Sequence, residues 1–162
     1  MPQDDDELAT SQSDSMAALY AGADSVSLAP TVTDTRQVVA VLEDYFAALN
    51  RGDYVGAYEY WVNGGGGSGR GLEEFTRQFA QTTSVHAQIG ELGRIEGAAG
   101  SRYVRVPVTV HTGTTTGEHR QLEGAVTLRR SLVPGATEAQ RSWRIYSTDL
   151  DFLAEGAVGE PD

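Results

Sequence analysis

Midway along the chain the spacing of apolar residues changes from three-and-four to two, and this change limits the folds available. Up to residue 81 the apolar positions recur at helical spacing; Val38, Val41, Leu42, Tyr45, Phe46 and Leu49 make one broad face. Beyond it they alternate: Val85, Ala87 and Ile89; then Val104, Val106, Val108 and Val110; then Leu122, Gly124, Val126 and Leu128; then Trp143 and Ile145. Helices followed by a run of half-buried antiparallel strands form an α+β layout, in which the helices must cover the apolar sheet face.

The turn chemistry divides these runs. Asp34, with Gln37 three residues on, is expected to cap the first helix. Gly52 is expected to end it in a left-handed cap, and Asp53 to start a second helix from Tyr54 to about Trp61. Asn63–Gly71 holds six glycines and reads as loop, and Leu72, Phe75 and Phe79 mark a third helix ending near Gln81. Gly97–Gly100 and Pro134-Gly135 read as turns. Pairing Gly113 with Gly117 across the central hairpin would set Val104 opposite Val126 and Val108 opposite Leu122, with every valine on the buried face.

At 162 residues the chain suits one domain. It has no cysteine, which excludes disulfides, thiolate catalysis and Cys-based zinc sites, and its twelve basic residues are all Arg, which excludes Schiff-base lysine chemistry. The net charge of −11 is concentrated at the ends. Residues 1–33 hold six acids and no Arg, 154–162 hold three acids, and 34–153 carry fourteen acids against twelve scattered Arg. Scattered Arg on a nearly neutral body argues against nucleic acid as a partner, and no apolar run is long enough for a membrane span. The expected organisation is a disordered acidic leader over 1–33, a folded domain over 34–153 and an acidic tail over 154–162. Met1-Pro2 is followed by acids rather than a basic and then apolar run, so no signal peptide is visible. The Ser/Ala-rich acidic leader is like a spacer in the periplasm or cell envelope, the favoured location; a cytoplasmic tail is the alternative.

The order helix, Gly-Asp corner, second helix, loop, short helix and antiparallel meander resembles the nuclear-transport-factor-2-like superfamily. Tyr45-Phe46-Ala47-Ala48-Leu49-Asn50-Arg51-Gly52-Asp53 is its most legible stretch, and the resemblance covers about residues 34–152. It implies a cone: a curved antiparallel sheet wrapped around the N-terminal helices. Within the superfamily the chain is similar to small bacterial envelope or lipoprotein-attached domains, although it has no lipid-accepting Cys. Ketosteroid isomerases share the fold, and Tyr45, eight residues before Asp53, matches the spacing of their oxyanion-hole tyrosine. Their carboxylate base would fall in Val62–Gly69, which contains no acid, and their protonated Asp would fall near Val126. Without a base a tyrosine cannot run that isomerisation.

Among the remaining features, the glycine run lacks the strand and Lys of a phosphate loop, and Arg51-Gly52-Asp53 is explained by the helical corner. His111 and His119 are expected to face each other near the hairpin tip with too few ligands for a tight metal site, so no metal and no cofactor are expected. Ser147, Asp149 and Asp151 do not make a nucleophile-elbow pattern, and no catalytic residue is assigned. Tyr45, Tyr58, Trp61, Phe75, Phe79 and Trp143 either fill the core or line a concave apolar pocket. The expected ligand-binding residues are Tyr45, Tyr58, Trp61, His86 and Trp143, around a small apolar ligand. Tyr103, Arg105, Gln121, Glu123 and Tyr146 fall on the opposite sheet face, a candidate homodimer surface. The sequence therefore favours a non-catalytic binding or accessory domain. Its alternatives are a cyclase- or dehydratase-type enzyme using His86 or Asp149 with Tyr45, and a dimerising interaction module.

Overall fold

A computed structural model describes residues 25–152. The leader up to residue 24 and the tail from 153, both expected to be acidic extensions, lie outside the described residues. The elements run β1 (Val26–Leu28), α1 (Val32–Asn50), α2 (Tyr54–Tyr58), a 3₁₀ segment (Val62–Ser68), α3 (Leu72–Arg77), β2 (Thr82–Ile89), β3 (Ile95–Ala98), β4 (Ser101–Thr114), β5 (His119–Ser131), α4 (Glu138–Arg141) and β6 (Arg144–Phe152). The fold is α+β, with one six-stranded antiparallel sheet ordered β1-β3-β4-β5-β6. β2 and β3 share one edge of the long β4, β2 on its C-terminal half and β3 on its N-terminal half. Gly90 and Gly93 bridge the break by donating to the Pro107 and Arg105 carbonyls at 2.8 and 2.9 Å.

The domain starts earlier than the sequence suggested. β1 pairs with β3, and the α1 N-cap is Thr31, not Asp34. Thr31 Oγ1 accepts from the Asp34 N–H at 2.9 Å while the Asp34 carboxylate takes the Thr31 N–H, so Asp34 is the third residue of the capping box. Residues 25–33 thus belong to the fold, which corrects the boundary at 34.

The corner after α1 forms as its residues dictate. Gly52 has φ 78°, and the Asp53 carboxylate accepts from the Gly56 N–H at 3.0 Å. Space around Gly52 is open, so a side chain there meets only the backbone penalty. Gly52→Val should cost roughly 1–2 kcal/mol and Asp53→Ala about 1 kcal/mol, read from urea midpoints. Two variants as stable as wild type would contradict the corner.

The buried face carries Val38, Leu42, Phe46 and Leu49 of α1 against Val85, Val104, Val106, Val126, Leu128 and Ile145 of the sheet. Asn50 Oδ1 accepts the Val85 N–H at 2.9 Å, fastening the end of α1 to β2. Trp61 forms a parallel bridge to Ile145 at the other sheet edge, so the helical layer is fastened towards both edges of the curved sheet.

The hairpin register differs from expectation by two residues. Val104 faces Leu128 and Val108 faces Gly124, because Thr114 pairs with Glu118 and the loop is Thr115-Thr116-Gly117. A shift of two keeps every side chain on its face, so the inward valines remain inward. The histidine pairing changes: His111 lies beside His86 and opposite Gln121, while His119 faces Gly113. Among the described residues no cluster of three metal-ligating side chains forms, and no helix is long and apolar enough to cross a membrane.

Candidate functional site

Between the helices and the concave sheet face lies an open cavity of about 640 Å³. Its floor is apolar and aromatic: Tyr45, Phe46 and Leu49 from α1, Trp61, Phe75 from α3, Phe79, and Val85, Val110, Leu122 and Leu150 from the strands. The rings support one another edge-on, with Tyr45 5.0 Å from Phe46 and 6.5 Å from Trp61, and Phe75 5.3 Å from Phe79. A cavity of this size and lining falls within the range of small-molecule sites.

Tyr45 supplies the polar atom on the floor. Its hydroxyl accepts from Trp61 Nε1 at 3.3 Å, which leaves the hydroxyl proton available to donate. Burial pushes its ionisation from 10.0 up to about 12, against the opposing effects of the Trp61 hydrogen bond and the Arg70 charge. The phenol is therefore a neutral donor at any physiological pH. Between pH 10 and about 12 the unfolded chain releases this proton while the folded chain keeps it. Stability should then fall with rising pH across that window, by at most about 3 kcal/mol, and be unaffected below it. Denaturant midpoints of wild type and Tyr45→Phe at about pH 9 and about pH 11 check this; the variant should lose less on the alkaline side.

The mouth is polar, which differs from the apolar pocket expected of the strand alternation. Thr112, Thr114, Glu118 and Arg120 continue the inward positions of β4 and β5 past Val110 and Leu122, and Arg70, Gln78 and Gln81 close the helical side. Arg120 pairs with Glu118 at 3.1 Å. The hairpin tip is tied across the mouth by Thr115, whose N–H donates to the Gln81 carbonyl at 2.9 Å and whose hydroxyl bonds the Gln81 side chain at 2.8 Å.

Of the five ligand-binding residues expected from the sequence, the structure brings Tyr45 and Trp61 together in the cavity and places the other three outside it. Tyr58 lies behind the wall, its ring 5.2 Å from Phe75 and its hydroxyl donating to the Arg70 carbonyl at 2.6 Å. Trp143 is buried beneath the Arg130 guanidinium, 5.9 Å from the ring centroid. His86 is exposed on the convex sheet face beside His111, because the break at Gly90 ends β2 without rotating it. Asp149 is on that same face, in an ion pair with Arg105 at 3.5 Å. The pairing of Tyr45 with His86 or Asp149 as acid and base is thus corrected: those two residues and Tyr45 occupy opposite sides of the sheet. The convex face also carries Tyr103 packed edge-on against Tyr146 at 5.2 Å, with Arg129 over the Tyr146 ring.

Arg70, Glu118 and Arg120 were absent from the sequence-derived site. Glu118 and Arg120 were legible, since both hold the parity of Leu122; Arg70 follows a glycine run and carries no periodic signal.

No protein-family model and no curated protein matches the chain. One solved structure similar to it is that of a proposed dehydratase from the NTF2-like family of Streptomyces avermitilis. It is 14% identical, with a TM-score of 0.49, and the match covers 73% of this chain and 94% of that one.

Proposed function

We propose that this chain is a small-molecule-binding domain of the nuclear-transport-factor-2-like kind, not a proton-transfer enzyme. The observation that carries the reading is the aromatic-floored cavity with the neutral Tyr45 hydroxyl on its floor. Proton abstraction requires a base within hydrogen-bond reach of the substrate. Among the described residues, the one carboxylate lining the cavity is Glu118, at the mouth and paired with Arg120, while His86 and Asp149 face away. The ligand accepts a hydrogen bond from Tyr45 and lays its apolar body on Phe46, Trp61 and Phe75.

The test uses prodan, a neutral naphthalene ketone whose emission shifts to the blue in apolar surroundings. It should bind with a blue shift. Thr112→Trp places an indole on an inward strand position at the mouth and should block binding by an order of magnitude or so, leaving Tm nearly unchanged. Tyr45→Phe should weaken binding by about 0.5–1.5 kcal/mol, the net worth of one neutral hydrogen bond. No blue shift, or a shift indifferent to Thr112→Trp, would refute the pocket.

A further inference from the structure

Among the described residues, three charged side chains stand at the cavity mouth. Arg120 and Glu118 form an ion pair with each other at 3.1 Å. Arg70 lines the same cavity, and among the described residues its guanidinium makes no ion pair. Among the described residues, the charged side chains lining the cavity are thus two arginines and one carboxylate. An arginine on a glycine-rich loop would ordinarily sample many positions, but this one has its main chain fixed. The Tyr58 hydroxyl donates to its carbonyl at 2.6 Å, and Ser68 Oγ accepts from its N–H and donates to its carbonyl, both at 3.2 Å. Tyr58 is in turn wedged against Phe75. The Tyr45 hydroxyl feels the Arg70 charge, which places both groups in one electrostatic neighbourhood.

We propose that the ligand is an amphipathic anion, with an apolar body on the aromatic floor and one carboxylate- or sulfonate-class group at the mouth, held by Arg70. The assignment rests on the pocket reading above and adds the charge of the ligand to it. Guanidinium is suited to this task because its planar donor fork matches the oxygens of such groups. Tyr58 acts as a positioning residue that sets Arg70 through its main chain.

Two fluorescent dyes of nearly the same shape separate the two readings: N-phenylnaphthylamine, which is neutral, and anilinonaphthalene sulfonate, its anionic counterpart. Both should bind and both should be blocked by Thr112→Trp. The anion should bind more tightly, and Arg70→Gln should reduce its advantage by about fivefold, the scale of a partly solvated ion pair, with little effect on the neutral dye. Arg36→Gln removes the same charge from the exposed first turns of α1 and should leave the ratio unchanged. A neutral dye that binds while the ratio ignores Arg70→Gln would overturn the anion assignment and leave the pocket standing. An equal loss in Arg36→Gln would also overturn it, because the effect would then belong to net charge. Failure of both dyes to bind would overturn both readings.

Discussion

Phe75→Ala should destabilise the fold by about 3–5 kcal/mol, the largest loss expected of any single truncation near the cavity. The ring is 1% exposed, lies 5.2 Å from Tyr58 and 5.3 Å from Phe79, and is the buried anchor of the six-residue α3. A helix of that length has no stability of its own, so its position depends on what it packs against. Phe79 offers partial compensation, since it also stacks on Tyr54 at 5.5 Å with the planes 5° apart. A fold of this size has about 5–15 kcal/mol of stability to lose, so the variant should still fold in the cold but melt far lower. Urea midpoints and thermal melts check the effect; a loss under about 1 kcal/mol would mean that α3 is held elsewhere. The same substitution removes one wall of the cavity, so a dye that still binds should bind with a redder emission.

How much of this could be read from the residues depends on how each signal is carried. The α1 face and the Gly52-Asp53 corner were legible because amphipathic period and capping chemistry are local. β3 was not read as a strand, and its second half was placed in the turn Gly97–Gly100, because its second inward position is Gly97, which contributes no apolar side chain, and because four residues are too few for alternation to stand out. β1 is three residues in an otherwise polar leader, and its pairing with β3 is a tertiary fact. The hairpin register went wrong by two because a three-residue loop ending in glycine can be placed before or at Gly117, and burial does not distinguish registers of the same parity. That error set His111 opposite His119, whereas it faces Gln121; its neighbour His86 comes from the separate β2–β4 pairing. The site was half legible for a related reason: apolar periodicity finds the floor, whereas the polar mouth follows the same alternation in residues that a hydrophobic pattern passes over.

Gly65→Ala is the second large effect, and it joins the glycine run to the site. Gly65 has φ 112° and ψ −24°, a backbone conformation that a Cβ opposes. A methyl group there would also overlap the Tyr58 ring at Cε2, Cδ2 and Cζ. That ring cannot easily yield, because Phe75 packs on it and its hydroxyl is bound to the Arg70 carbonyl. Adding about 1–2 kcal/mol for the backbone to about 1–3 kcal/mol for overpacking gives an expected loss of roughly 2–5 kcal/mol. Gly64 is the internal control: its φ is 62° and nothing lies within 4 Å of its added Cβ. Gly64→Ala should therefore cost only the backbone share, about 1 kcal/mol. The difference between the two melts reports the contact with Tyr58 together with the less favourable backbone at Gly65. If Tyr58 does move, Arg70 loses its main-chain anchor, and Gly65→Ala should weaken anionic dye binding more than neutral dye binding while Gly64→Ala spares both. Equal melts for the two variants would show that the glycine run is a plain connector and that Tyr58 does not press on it.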